Sequence, residues 1–338
     1  MPKAFITGIG GQDGRHLAPY LRSLGYEVHG LVRGQDFEKR DILKHELDFV
    51  KFHEGDITDQ ASLISTMKAI RPDEVYHLAG ASYVPMSWSA PSYVMEVNVL
   101  GTINLLEAVR HTSPYSRVVV ASSSEVFGNV RCPQHELSSM KPVSVYGLSK
   151  LCILHLARQY RDHYDLFTSC AISFNHESPL RPPNFVTRKI TRGVARIKCG
   201  LQEKIQLGNL DAKRDWGYAL DYMIGMHKIV NHKYADDFVL GTGASYSVRE
   251  LLAIACEHND IGLDPFKIIE LHDSERRPED IMELRADPVK AHDTLDWEAE
   301  TSFDTLIDMM VRYDLSEVRG KPDGRMFIKT GDFELAYG

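Results

Sequence analysis

Cysteine is scarce in this chain, and the five residues present, Cys132, Cys152, Cys170, Cys199 and Cys256, are odd in number and form no C-x-x-C pair. Such spacing argues against a disulfide framework and against a thiolate zinc site. An H-E-x-x-H string is also missing, so metal catalysis has no foothold in the sequence. No apolar run approaches the roughly 20 residues that cross a bilayer. Nor is there an excess of positive charge. The formal net charge is −8 and the pI is near 6.0, which offers no broad attraction to nucleic acid or anionic lipid. An anionic ligand would therefore need a local cluster of arginine and lysine. Met1-Pro2-Lys3 runs directly into Ala4-Phe5-Ile6-Thr7, which leaves no room for a secretory leader before a first strand. The expected compartment is the reducing cytoplasm.

What is present is an ordinary globular balance: 338 residues, 43% hydrophobic and 25% charged, enough for a sizeable core and about two domains. Short apolar runs mark candidate strands at 3–7, 27–32, 50–53, 74–77, 117–121 and 166–173. Helical patterns fall between them, at 16–24, 60–70, 94–111 and 146–164. This alternation predicts an α/β fold built on a doubly wound parallel sheet. Beyond Asn175 the rhythm loosens into a loop with Pro179, Pro182 and Pro183, then a basic helix from about 186 to 199. Ser247 with Glu250 three residues on predicts a capping box and a helix start. The expected division is a dinucleotide-binding domain over 1–174 and a smaller lobe over 175–338. The two interleave, with a stretch at about 215–258 returning to the first domain, because Phe238-Val239-Leu240 reads as a strand of the main sheet.

The first strand runs into Gly8-Ile9-Gly10-Gly11-Gln12-Asp13-Gly14 immediately before a helix. Glycines there allow a tight turn and a close backbone approach, so a pyrophosphate can sit on the helix N-terminus, as in a Rossmann dinucleotide site. A second strand ending near Val32-Arg33 places a guanidinium where a ribose acid usually sits, which suits a 2′-phosphate and predicts NADP. The alternative is a solvated Arg33 with Asp36 on the ribose, and NAD as cofactor.

Of the tyrosines, Tyr146 alone has a lysine four residues later, Lys150, on the same helical face. A lysine cation beside a phenol favours phenolate. The fifth strand runs into Ser122-Ser123-Ser124-Glu125, a polar knot at the carboxyl end of a parallel strand, where open α/β sheets build their sites. The serines alone could be turn chemistry. Glu125 is harder to dismiss, since a carboxylate in such a crevice needs a reason.

Taken together, G-x-x-G-Q-D-G at 8–14, S-x-S-E-V-F-G at 122–128 and Y-x-x-x-K at 146–150 resemble the extended short-chain dehydrogenases/reductases that act on nucleotide sugars. Longer strings narrow this to the GDP-mannose 4,6-dehydratase family. They are Phe174-Asn175-His176-Glu177-Ser178-Pro179, Asn184-Phe185-Val186-Thr187-Arg188-Lys189-Ile190, the stretch 207–217, and Arg277-Pro278-Glu279. The resemblance implies a redox-neutral dehydration. Tyr146 takes the C4 hydroxyl proton, Ser123 binds the C4 oxygen in place of the family's usual threonine, and Lys150 holds the nicotinamide ribose and lowers the tyrosine pKa. Glu125 then removes the C5 proton as water leaves C6, and the hydride taken from C4 returns to C6. It also implies dinucleotide contacts from Gly8, Gly11, Gln12, Asp13, Gly14, Arg33, Asp56, Ile57, Leu78, Ala79, Tyr93, His176 and Arg181. Without the resemblance, His176 reads as a satisfied core histidine. Sugar-nucleotide contacts are implied for Ser82, Asn175, Val186, Lys189, Arg192, Arg214, Arg277 and Glu279, and the assembly for a homodimer or homotetramer.

Departures from the family pattern cluster beside the sugar: Ser144-Val145-Tyr146 for the usual S-P-Y, and Leu180-Arg181-Pro182-Pro183 where a double arginine and glycine are usual. They leave a GDP-heptose open beside GDP-mannose. Competing readings are a nucleotide-sugar decarboxylase, an epimerase or 4-keto reductase of the same fold, against both of which Glu125 weighs, and a non-catalytic dinucleotide sensor, which would commonly lack the tyrosine–lysine pair.

Overall fold

The computed structural model describes residues 1–34, 43–258, 260–272 and 279–320, and the backbone of two short strands at 328–330 and 333–335. Two of the residues singled out above, Asp36 and Arg277, lie outside the described residues.

Six strands of the first half, β1 (Lys3–Thr7), β2 (Glu27–Val32), β3 (Lys51–Glu54), β4 (Glu74–His77), β5 (Arg117–Ala121) and β6 (Thr168–Ser173), pair in parallel in the order 6-5-4-1-2-3. Most are buried on both faces, as strands with crossover helices on either side must be, so they read as near-continuous apolar runs. The order reverses between β1 and β4, the switch point at which such sheets open a crevice above their carboxyl ends. A seventh strand, Asp237–Leu240, fully buried, adds in parallel beyond β6 with Phe238 opposite Ala171. The chain thus returns to the first sheet after leaving it.

Helices α1 (Gln12–Ser23), α2 (Gln60–Ile70), α3 (Gly101–Thr112) and α4 (Val145–Tyr164) make the crossovers. Asp59 caps α2 by accepting from the Ala61 and Ser62 amides, a contribution of about 1 kcal/mol. The pattern expected over 94–111 is broken. A helix at Pro91–Met95 passes through a π-type turn at Glu96–Leu100 before α3 begins. At the centre of that turn Asn98 is fully buried, its Oδ1 accepting from the Ala81 amide at 2.8 Å while Nδ2 donates to the Ala81 carbonyl at 3.2 Å.

The second lobe has its own core, in which α5 (Val186–Lys198), α7 (Val248–Glu257) and α8 (Phe303–Val318) bury Ile190, Val194, Leu251, Phe303 and Ile307. Between α5 and α7 runs α6 (Ala219–Asn231), which packs against α1 of the first sheet. The Ser247–Glu250 capping box is formed in full. Among the described residues no helix is long and apolar enough to cross a membrane.

Candidate active site

A cavity of about 620 Å³ opens at the switch point, between the carboxyl ends of β1, β4 and β5 and the second lobe. Its floor is the glycine loop. Gly8 sits at φ +76°, and a Cβ there would lie 2.7 Å from the Ala79 amide nitrogen, so the loop and the chain leaving β4 can meet only because Gly8 has no side chain. Gly14 serves packing instead: its Cβ would fall 2.5 Å from Ile9 Cα. The N-cap of α1, Gly11, offers no side-chain acceptor, which leaves the first-turn amides to a ligand. A close backbone cradle and an uncapped helix N-terminus together fit a dinucleotide pyrophosphate.

Two residues of that first turn tie the loop to the second lobe. Gln12 Nε2 donates to the His176 carbonyl at 3.0 Å and its Oε1 accepts from Ser178 Oγ at 3.0 Å. Asp13 Oδ2 lies 3.1 Å from His176 Nε2, and His176 Nδ1 lies 2.8 Å from the Phe174 carbonyl. Both ring nitrogens face groups that only accept, an arrangement that favours the doubly protonated imidazolium. Burial opposes that charge, but the Asp13 carboxylate outweighs it and raises the His176 pKa above its ordinary 6.5. The same pairing holds Asp13 far below the usual carboxylate range despite its own burial. His77 shows the contrast. Its nitrogens meet the hydroxyls of Thr7 and Thr102, which can donate, and burial pushes it down to about 3.

The reacting end of the cavity joins the chain after β5 to the start of α4. Glu125 and Tyr146 are 6% and 7% exposed, and both line the cavity with Ser123 and Lys150. Burial drives the Tyr146 phenol up to about 12, and the Glu125 carboxylate adds to the rise. A hydrogen bond with Ser123 and the charge of Arg181 oppose it. The expected lowering by Lys150 is not seen in the chain alone. Its Nζ stands 5.8 Å from the Tyr146 ring centre and donates to the Ala121 carbonyl at 2.8 Å, and burial takes the lysine down to about 8. Shared helical face placed the two side chains together, but the ammonium is committed to the end of β5.

Comparison with known proteins shows the family. The family model for GDP-mannose 4,6 dehydratase matches residues 5–310. The chain belongs to the GDP-mannose 4,6-dehydratase family. GDP-mannose 4,6 dehydratase 2 of Arabidopsis thaliana is 42% identical over 324 residues, covering 92% of this chain and 86% of the relative. The human GDP-mannose 4,6 dehydratase is 37% identical over 346 residues, covering 95% and 93%. Among solved structures, RMD from Pseudomonas aeruginosa complexed with NADPH superposes with a TM-score of 0.78 at 25% identity, covering 94% of this chain and all of that one.

Most residues that the family resemblance pointed to meet in this one cavity. From the first half come Gly8, Gly11, Gln12, Asp13, Arg33, Asp56, Ile57, Leu78, Ala79, Ser82 and Tyr93. From the second come Asn175, His176, Arg181, Val186, Lys189 and Arg214. Three do not join them. Gly14 lies behind the loop against Ile9; Glu279 is exposed and off the cavity wall; and Arg192 opens into a separate basic depression with Lys189, Arg196 and Lys204. Arg192 is one turn past Lys189 on the same helix, but only Lys189 lines both depressions. Arg214 is buried and bound to Asp280 at 3.3 Å and to the Ile281 carbonyl at 2.7 Å. No cluster of metal-ligand type occurs among the described residues.

Three residues escaped the sequence reading. Asp280 fixes Arg214 and also accepts from Asn209 at 2.9 Å. Glu177 faces Arg181. Asn98 holds the Ala81 loop and donates to Ser149 at 2.9 Å, one residue before Lys150. Only Glu177 left a signal, its spacing of four from Arg181.

Proposed function

We propose that this chain dehydrates GDP-mannose to the 4-keto-6-deoxy sugar nucleotide, using a nicotinamide dinucleotide that ends each turnover as it began. The observation that carries the reading is a buried carboxylate, Glu125, on the same cavity wall as the Tyr146–Ser123 hydroxyl pair. One cavity then holds a base for the C4 hydroxyl and a second base for C5, which a simple epimerase or reductase does not need.

When bound, the dinucleotide supplies a hydride acceptor for C4 and a hydride donor for C6. The glycine loop at Gly8 and Gly11 and the first-turn amides of Gln12 and Asp13 would hold its pyrophosphate, and Lys150 with Tyr93, which line the same cavity, would border its nicotinamide half. Tyr146 takes the C4 hydroxyl proton, while Ser123 hydrogen-bonds the oxygen. A ketone at C4 acidifies the adjacent C5–H, so Glu125 can remove that proton while the C6 hydroxyl takes up a proton and departs as water. Of the two protons taken up by Tyr146 and Glu125, one leaves in that water and the other returns to C5 as C6 is reduced. Lys189 and Arg214 provide the positive charge for the GDP diphosphate. In this reading residues 1–174 supply most of the cofactor site and the catalytic side chains, the lobe beyond adds His176 and Arg181 to the cofactor and binds the nucleotide, and the protein works as a cytoplasmic homodimer or homotetramer. Incubation with GDP-mannose and no added oxidant or reductant should give a product lighter by one water. Unchanged GDP-mannose would remove the reading.

NADP is the proposed dinucleotide because Arg33, exposed at the end of β2, borders the cavity where an adenosine ribose would lie. Arg33→Ala should weaken NADP binding by about 10-fold or more and leave NAD binding nearly unchanged, since only NADP brings a 2′-phosphate to the guanidinium. Equal losses for both, read by calorimetry, would make Arg33 a scaffold residue.

A further inference from the structure

Arg181 stands in a proline-rich loop between the short strand Asn175–Glu177 and α5, where a long side chain would ordinarily wander. It does not. Its amide donates to the Ser178 carbonyl at 3.0 Å, and its own carbonyl accepts from Arg188 Nη1 at 3.1 Å. Arg188 is itself buried and paired with Asp314 at 2.7 Å. The Arg181 guanidinium lies 3.6 Å from the centre of the Phe185 ring. Its Nε stands 3.1 Å from Glu177 Oε2, an ion pair in which the N–H is not aimed at the oxygen. Among the described residues neither Nη1 nor Nη2 makes a hydrogen bond or ion pair within the protein, and the side chain lines the cavity.

Glu177 is placed as firmly. Its side chain is 2% exposed, its backbone pairs with Tyr218 of the strand Trp216–Tyr218, and Thr187 Oγ1 donates to Oε2 at 2.5 Å. Burial pushes its carboxyl pKa up, against the pull of Arg181. Burying such a pair contributes little stability over apolar packing of the same shape, so stability is a weak reason for it. We infer that Glu177 is a positioning residue that aims the Arg181 guanidinium into the cavity, so that a dinucleotide phosphate meets a cation already in place. The inference rests on the reading above that Arg181 contacts the cofactor.

The sign of the effect separates positioning from simple charge. Removing a carboxylate near an anionic ligand would by charge alone tighten binding, whereas loss of aim weakens it. The test is NADP binding by calorimetry, without substrate, to the native chain, Glu177→Gln, Arg181→Ala and the double variant. Glutamine keeps the length of the side chain and an oxygen for Thr187. Each single change should weaken NADP about tenfold, and the double should be no weaker than Arg181→Ala, because the two act as a unit. For Glu177→Gln, kcat at saturating cofactor should change far less than the affinity; for Arg181→Ala it should fall as well, because the guanidinium also lowers the Tyr146 pKa. Native or tighter binding by Glu177→Gln, or additive losses, would overturn the positioning role. Native binding by Arg181→Ala would instead overturn the assignment of Arg181 to the cofactor. Should Glu177→Gln fail to fold, Thr187→Val, which removes only the hydroxyl steadying the carboxylate, must still weaken NADP in the native but not in the Arg181→Ala background.

Discussion

Glu125→Gln should slow formation of the deoxy-keto sugar by about 10²–10⁴-fold, the usual worth of a positioned general base. Glutamine preserves size and hydrogen bonding but cannot take the C5 proton. The first half of the reaction should survive, and for a reason visible in the site. The Glu125 carboxylate raises the Tyr146 pKa, so its removal makes the phenol easier to ionise. Mixing this variant with GDP-mannose should therefore build up reduced-nicotinamide absorbance, with a bound 4-keto hexose that has kept its C6 hydroxyl. Dehydration at the native rate would take the C5 base away from Glu125 and favour an epimerase or reductase.

Tyr146→Phe should fail one step earlier and by a similar factor, again about 10²–10⁴-fold, because the phenol is the base proposed for the C4 proton. No reduced-nicotinamide absorbance should appear on mixing. In the chain alone the phenol is held at about 12 by burial, so at neutral pH it needs added positive charge to serve as a base. A bound oxidised nicotinamide would bring that charge. Ser123 and Arg181 already act in the same direction. Turnover limited by this step should accordingly rise with pH until the phenol is ionised. A Tyr146→Phe variant that still reduces the cofactor would assign the first proton transfer elsewhere.

Much of the fold was legible in the sequence because it rests on apolar runs and glycine. The strands at 3–7, 27–32, 74–77 and 117–121 fall where alternation placed them, and the return of Phe238–Leu240 to the main sheet was readable as a buried run. Helix α1 starts four residues before its apolar pattern does, at Gln12, because its N-terminus is set by the backbone turn at Gly11 and serves a ligand rather than the core. Strand β6 loses Leu166 and Phe167 to the turn that follows α4. The site was legible where a motif is contiguous, as at 8–14 and 122–125. Pairings distant in the chain were not: nothing in the sequence joins Arg214 to Asp280, or Asn98 to the Ala81 loop. Nor could a helical repeat of four say that Lys150 would turn toward the Ala121 carbonyl.

The central claim is that one cavity oxidises C4 and reduces C6 of the same sugar. GDP-mannose carrying deuterium at C4, converted without added reductant, tests it directly by mass and position of label in the product. Deuterium at C6 of the 4-keto-6-deoxy sugar is the predicted result. Label released into free reduced cofactor or solvent, with unlabelled C6, would contradict it.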